Sequence, residues 1–393
     1  MNRTLSFLRN NWITLLLLLA FFTILNTRTL YSVMRFPADP GYDYIFSGAT
    51  NGLSSWFDLE PYVHFGAHFF SWIASFAPIE TQALVLATLV HLLWSVIGVA
   101  IYFVLHREGF SRFVSILSSL TLILCPAASE SSLTNVGNFK WPLLIFALIL
   151  SSSNQPILFP KLSCAYIFFT GITNPLTVIV LIPLVMNYIS SSRINQKLLI
   201  LPITGLLVSF GIQVITVGSS HLGPGTRIVT VRMPWPGMGL FWWFGLVSPT
   251  IICTSALLIQ KLFQLRSNSH LATRITIGAP FLAIASYLYG GIGDRYFVAP
   301  MVISWIVSIV VISDFGNRLK RSQFVSVAAA ALLLFSVPTV KWYASSWYLT
   351  SGPSWSDEVK NAKILCSDGR ATVSLQIGDL NNTVLPCAYL SRS

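Results

Sequence analysis

The chain has 393 residues, of which 54% are hydrophobic and only 9% are charged, with a mean hydropathy of +0.70. A soluble domain cannot bury so many apolar residues, so this composition excludes one and indicates several membrane-spanning helices. The net charge of +11 is better explained by basic loops on one side of a membrane than by a nucleic-acid-binding surface.

Runs of about 20 apolar residues form helices long enough to cross the hydrocarbon layer of a bilayer. Such runs predict an all-α polytopic membrane protein with about eleven transmembrane helices, in a range of about 9–13. The predicted spans are 11–28, 82–105, 112–128, 139–153, 160–173, 176–190, 197–217, 240–262, 274–291, 296–313 and 324–340. The short spans 160–173 and 176–190 meet at Thr173-Asn174-Pro175, which is compatible with tilted, half-inserted or broken helices.

Lys and Arg residues alternate between the predicted loops, and cytoplasmic loops carry the excess of positive charge. This pattern orients the chain with a cytoplasmic N-terminus and an extracytoplasmic C-terminus. The inner basic residues are then Arg3, Arg9, Arg107, Arg112, Lys161, Arg193, Lys197, Lys261, Arg266, Arg274, Arg318, Lys320 and Arg321. No small-residue cleavage site follows the first apolar run, so we expect it to be an anchor and not a signal peptide.

The first outer loop, residues 29–81, carries an acidic stretch that begins PADPGYDYIFSG and contains Asp39 and Asp43. Asp43 lies between Tyr42 and Tyr44 near the membrane boundary, where partial desolvation raises a carboxyl pKa toward the range of a general base. A solvated loop carboxylate remains the alternative for each acidic residue. The aromatic stretch from 62 to 72 predicts an amphipathic helix that lies in the membrane interface.

His64 and His68 are four residues apart, and Glu60 precedes His64 by another four. This E-x-x-x-H-x-x-x-H spacing places the three side chains on one helix face and is compatible with a metal site. We favour a polar stripe on an interfacial helix, because nothing nearby supplies a further ligand pattern. We therefore assign no metal ligand.

The later outer loops supply polar and basic residues. In LTNVGNFKWP, Asn138, Lys140 and Trp141 begin the fourth span, and Lys140 is either a snorkelling anchor or a phosphate contact. Arg227 and Arg232 lie in a Gly- and Pro-rich loop. This loop either binds an anionic lipid headgroup or is only a connection between two spans. Arg295 follows Asp294, and it either pairs with that carboxylate or forks onto a phosphate.

The C-terminal tail contains the two cysteines that lie outside the predicted spans, Cys366 and Cys387. An exported pair of this kind predicts a disulfide. Alternating apolar residues in TVSLQI predict a strand, and the DLNN sequence that follows predicts a turn. We expect a small structural cap.

The order of these features resembles that of the GT-C superfamily of polytopic membrane glycosyltransferases. The resemblance rests on PADPGYDYIFSG and EPYVHFGAHFFSW in the first loop, on TNVGNFKWPLLIFALIL, on FFTGITNPLTVIVLIPLVM and on DRYFVAP. The sequence is most similar to uncharacterised actinobacterial-type members, which also end in a small outer tail with a Trp and two Cys. Residues 1–340 are then a GT-C-like transmembrane domain, and residues 341–393 are an extracytoplasmic tail.

The resemblance implies transfer of a sugar from a polyprenyl-phosphate donor to a glycan or lipid acceptor of the cell envelope, on the outer face of the cell membrane. It makes Asp43 the preferred general base, with Asp39 next. It implies that Arg295, Lys140, Arg227 and Arg232 contact the donor phosphate. Tyr42, Tyr44, His64, His68, Asn138 and Trp141 are expected to line the substrate pocket.

Two other functions stay open at this point, a flippase or carrier of a lipid-linked saccharide and a non-catalytic assembly protein of the cell envelope. A transporter usually shows mid-membrane charges or an inverted repeat. His91 is the main polar residue inside a predicted span, and we find no inverted repeat. The cofactor is undetermined: a divalent metal is compatible with the reaction, but the sequence does not indicate one.

Overall fold

The computed structural model describes residues 2–29, 41–57, 63–124, 133–220, 270–290, 298–316, 353–377 and 381–391. The predicted spans 240–262 and 324–340 lie outside the described residues, as do the predicted loop 292–295 and residues 221–239 of the predicted loop 218–239. The described part is mainly helical, with one small two-stranded sheet near the C-terminus.

The helices follow the apolar runs of the sequence. In chain order they are α1 Asn2–Arg28, α2 Gly41–Asn51, α3 Phe65–Ala74, α4 Gln82–Arg107, α5 Arg112–Leu124, α6 Lys140–Ser152, α7 Gln155–Leu158, α8 Pro160–Thr173, α9 Leu181–Ser190, α10 Arg193–Ser220, α11 His270–Gly290, α12 Val298–Gly316, α13 Trp355–Ser367 and α14 Cys387–Leu390. Short 3₁₀ helices cover Gly52–Phe57, Ile79–Thr81, Val136–Asn138 and Pro175–Val180.

The predicted boundaries agree best where the sequence carries a helix-breaking residue. Between the two short spans the helix is interrupted, one of the alternatives left open: α8 ends at Thr173, and Asn174 caps the following 3₁₀ helix by accepting a hydrogen bond from Leu176 N at 3.1 Å. The predicted span 11–28 lies within α1, which begins earlier, at Asn2, and whose apolar part is Trp12–Arg28.

The described helices differ in whether they are long enough to cross a membrane. Among the described residues, two helices are long and apolar enough to cross a membrane, Ile79–Arg107 and Arg193–Thr216. Six shorter apolar helices accompany them, Trp12–Arg28, Arg112–Leu124, Val136–Ser152, Pro175–Ser190, Thr273–Ser286 and Val298–Val310. The figure of about eleven spans therefore stays a prediction.

One end of the helical bundle is held by polar contacts between loops that the charge pattern assigns to the cytoplasm. The Glu108 carboxylate accepts hydrogen bonds from Asn154 N at 2.9 Å and from Asn154 Nδ2 at 3.0 Å. The Arg274 guanidinium donates to Ser152 O at 3.1 Å and to Ser190 Oγ at 2.9 Å. Loops that the sequence places on the same side thus meet in space.

The opposite end contains the described part of the predicted first outer loop. Gln213, near the end of α10, donates through Nε2 to Val63 O at 3.1 Å and accepts through Oε1 from Val63 N at 3.1 Å. It also donates to the carbonyls of Gly171 and Ile172 at the end of α8. These bonds fix the chain immediately before α3. Thr173 adds to them, because its Oγ1 accepts a hydrogen bond from Gly66 N, in the first turn of α3, at 3.2 Å.

The C-terminal element consists of α13, the strands β1 Thr372–Ile377 and β2 Asn381–Pro386, and α14. The strands are antiparallel, with Val373 opposite Leu385 and Leu375 opposite Thr383. Cys366 and Cys387 form a disulfide with their Cα atoms 5.5 Å apart. The apolar residues of this element belong to the same continuous core as the helical bundle.

The contact between α8 and α10 depends on Gly171. A Cβ at this position would lie 1.9 Å from Ser209 Oγ, so we expect Gly171→Ala to cost about 1–3 kcal/mol of unfolding free energy. Gly211→Ala on α10 is the matched control, because a Cβ there meets nothing within 4 Å. Thermal unfolding in detergent measures both variants. Recovery of Gly171→Ala by Ser209→Gly supports the steric cause, and a wild-type melting temperature in Gly171→Ala contradicts it.

Candidate functional site

Helix α2 carries the preferred base, Asp43, in its first turn. The next two residues, Tyr44 and Ile45, are buried, whereas the Asp43 side chain is exposed. Gly48 lets α2 approach α3 closely, since a Cβ there would lie 3.0 Å from Trp72 Cα. Partial desolvation raises the pKa of Asp43 above its usual value, the direction that favours a general base.

The Tyr44 ring contacts both predicted histidines. It meets the His68 ring edge-on with centroids 4.7 Å apart, and its centroid is 6.0 Å from that of His64. His64 and His68 are 5% and 1% exposed, so the prediction of a polar stripe on an interfacial helix is wrong for this pair. The reason is that one face of α3 packs inward, against α2 and the 3₁₀ turn before α6.

That turn brings Lys140 to the same place. Asn135 stabilises the turn by accepting a hydrogen bond from Gly137 N at 2.7 Å. Gly137 lies close to Tyr44, because a Cβ there would be 3.7 Å from Tyr44 Cε2. Lys140 then begins α6 as a buried side chain with Nζ 5.3 Å from the centre of the Trp141 ring, which argues against a snorkelling anchor.

The positive charge of Lys140 acts on His64. Burial lowers the pKa of His64 well below its usual value near 6.5, and the charges of Lys140 and then His68 lower it further. His64 is therefore a neutral imidazole at neutral pH. We refer to Tyr44, His64, His68, Lys140 and Trp141 as the polar cluster; Asn138, also predicted for the pocket, is buried in the adjoining turn.

This shift predicts a pH dependence of stability. As the pH falls below about 6.5, the unfolded chain protonates His64 while the folded chain does not, so unfolding becomes easier by up to about 1.4 kcal/mol per pH unit. The melting temperature of the wild type should therefore fall between about pH 6.5 and pH 5. His64→Gln should show a shallower decline over this interval, and an equal decline in both proteins would contradict the assignment.

The other predicted site residues are not brought into this cluster by the described structure. Asp39, Arg227, Arg232 and Arg295 lie outside the described residues, and of Tyr42 only the backbone, in α2, is described. Cys366 and Cys387 belong to the C-terminal element. Glu60 also lies outside the described residues; within the described part, no group of three or more His, Cys, Asp or Glu residues is arranged to hold a metal ion.

The sequence interpretation missed the residues that fix the polar cluster from behind. Gln213 and Thr173 hold the start of α3, and neither was singled out. The available signal was a glutamine inside the apolar run SFGIQVITV, since a polar side chain in a membrane span needs an internal hydrogen-bond partner.

The architecture is similar to that of two solved structures. The apo crystal structure of the Archaeoglobus fulgidus oligosaccharyltransferase aligns with a TM-score of 0.50 and 15% identity, over 88% of this chain and 58% of that chain. The Archaeoglobus fulgidus oligosaccharyltransferase AglB in complex with an inhibitory peptide and a dolichol-phosphate aligns with a TM-score of 0.50 and 15% identity, over 92% of this chain and 58% of that one. At this identity the similarity shows the fold alone, which is the GT-C fold.

This chain is shorter than the two chains to which it is similar. This chain spans 58% of the length of the oligosaccharyltransferase chains, so it matches only part of those proteins. No protein-family profile matches the sequence, and no curated protein matches it significantly.

Proposed function

We propose that this chain is a multi-pass membrane glycosyltransferase that moves a sugar from a polyprenyl-phosphate donor to a cell-envelope acceptor. The observation that carries the proposal is the position of Asp43 within a GT-C fold, on a helix whose next residue, Tyr44, contacts the buried His64 and His68. Asp43 supplies an exposed carboxylate, and Lys140 is a buried side chain whose charge acts on His64. A base and a cation are the two groups that displacement at a sugar phosphate requires.

The proposed reaction is a direct displacement at the anomeric carbon of the donor sugar. The acceptor hydroxyl oxygen forms a bond to that carbon, while the bond from the carbon to the phosphate oxygen breaks. Asp43 takes the hydroxyl proton, and the polyprenyl phosphate leaves with the bonding electron pair. The exposure of Asp43 supports its role as the base, because the acceptor can reach the carboxylate. The raised pKa of Asp43 brings this carboxylate closer to the range of an effective base.

The departing phosphate gains negative charge as the bond breaks, and a cation nearby stabilises that charge. Lys140 is proposed for this role, since its ammonium lies in a buried site where electrostatic attraction is weakly screened. Arg295, Arg227 and Arg232 are proposed as further phosphate contacts on the same side. Asp39 is the second candidate for the base.

The proposed orientation has a cytoplasmic N-terminus and the polar cluster at the extracytoplasmic ends of the helices. The disulfide between Cys366 and Cys387 supports this orientation, because disulfides persist in oxidising compartments. The separation of the two groups of loop contacts supports it as well, since the Arg274 contacts lie at the opposite end from Gln213.

A binding experiment with a defined lipid tests the proposal. The purified protein in detergent is titrated with a polyprenyl monophosphate and, separately, with phosphatidic acid, which carries the same phosphate monoester on a different lipid. We expect the polyprenyl lipid alone to raise the melting temperature in a saturable way. An equal response to both lipids, or to neither, would contradict recognition of a polyprenyl-phosphate donor.

A further inference from the structure

The C-terminal element is anchored to the 3₁₀ helix Ile79–Thr81, which precedes α4. Trp355 is buried at the start of α13 and donates a hydrogen bond from Nε1 to Ile79 O at 2.6 Å. Two turns later, Lys363 Nζ lies 2.6 Å from a carboxylate oxygen of Glu80. A charge-assisted contact and a buried indole bond on one helix face fix both the position and the rotation of α13.

The other end of this element reaches α2. The Tyr389 ring, in α14, meets the Phe46 ring edge-on with centroids 5.3 Å apart. Phe46 lies three residues after Asp43, and side chains three residues apart share a helix face. The disulfide connects the two ends of the element, because Cys366 is in the last turn of α13 and Cys387 begins α14.

Helix α2 needs such support. It has 11 residues, including Gly48, Thr50 and Asn51, and an isolated helix of that length and composition is unstable in water. Tyr44 and Ile45 secure the face that packs inward. On the Phe46 face, the C-terminal element contacts α2 through the Tyr389 ring.

We propose that the C-terminal element is a disulfide-closed brace that holds α2 in place, and that Tyr389 and Phe46 are positioning residues for Asp43. The brace itself follows from the contacts of the element, whereas its consequence for Asp43 rests on the proposed function. The contacts run in one continuous path from Glu80 through α13, the disulfide and α14 to Phe46.

Hydrogen exchange of the full-length oxidised protein in detergent tests the brace without any substrate. In Tyr389→Ala we expect the amides of 41–51 to exchange about tenfold faster, because the ring contact and the area that it buries are lost. Tyr389→Phe keeps the ring and should exchange like the wild type. Segment 193–216 serves as the internal reference, and wild-type exchange of 41–51 in Tyr389→Ala overturns the proposal.

A second set of variants distinguishes the loss of the ring contact from a general loss of folding in Tyr389→Ala. Phe46→Ala should accelerate exchange in 41–51 to a similar extent, and the double variant should add little beyond either single variant, since both remove one contact. Cys366→Ser with Cys387→Ser should accelerate the same segment. Fully additive effects of Phe46→Ala and Tyr389→Ala would overturn a direct coupling of the two rings.

The consequence for Asp43 is tested by transfer kinetics with the lipid-linked sugar fraction of the source membrane as donor. We expect Tyr389→Ala to lower kcat with little change in KM, and Tyr389→Phe to restore kcat. A loosened α2 with wild-type kcat would overturn the positioning role while leaving the brace intact. Failure of the proposed function has a different signature, which is unchanged transfer by a variant of Asp43 itself.

Discussion

Asp43→Asn is expected to reduce sugar transfer by about 10²–10⁴-fold, the usual contribution of a positioned general base. The amide has the same shape as the carboxylate but cannot accept the acceptor's proton. Because the Asp43 side chain is exposed, the substitution should leave folding and membrane insertion unchanged. The measurement is the rate at which the purified protein consumes a labelled lipid-linked sugar fraction from its source membrane.

A matched control separates the role of Asp43 from a general effect of lost charge. Asp368→Asn, at the exposed C-terminal end of α13, should transfer like the wild type. The bound lipid gives a second readout, since Asp43→Asn should accumulate the sugar-bearing donor where the wild type has released the sugar. Wild-type transfer by Asp43→Asn would move the base elsewhere, with Asp39 the next candidate.

Lys140→Gln is expected to lower transfer by about 10²–10³-fold, the range measured when a single group that stabilises transition-state charge is removed. The melting temperature of the variant shows whether the fold survives the substitution. Loss of transfer together with retained stability marks a residue kept for function. The two quantities are measured on the same preparation, as transfer rate and melting temperature.

The control for Lys140 is a lysine of the same predicted side that lies in solvent. Lys360 has a side chain that is 66% exposed, and Lys360→Gln should alter neither transfer nor melting temperature. If Lys140→Gln transfers normally, the phosphate contact belongs to another cation. If it instead unfolds, Lys140 is part of the structural core and the proposed role is wrong.

The sequence predicted the long helices well because apolar runs and their boundaries depend on local composition. The end of the short span 160–173 was predicted correctly, since the proline at 175 cannot continue the hydrogen bonding of α8. Helix α2 was not predicted as a separate helix, because GYDYIFSGATN contains weak helix formers. Its stability comes from packing, which a single sequence does not display.

The candidate site was predicted residue by residue but not as an arrangement. Tyr44, His64 and Lys140 were each selected from the sequence, yet their contact depends on how α2, α3 and the turn before α6 pack together. The burial of His64 and His68 also could not be predicted from the spacing. An i, i+4 pair fits a buried helix face as well as an exposed one.

The most direct test of the central claim is native mass spectrometry of the protein extracted gently from its own membrane. A co-purified polyprenyl monophosphate, with or without one sugar, is the result that the account predicts, and it would identify the donor class. A diphosphate-linked oligosaccharide would contradict the account in favour of a flippase. Absence of any bound polyprenyl lipid would contradict it in favour of a non-catalytic assembly protein.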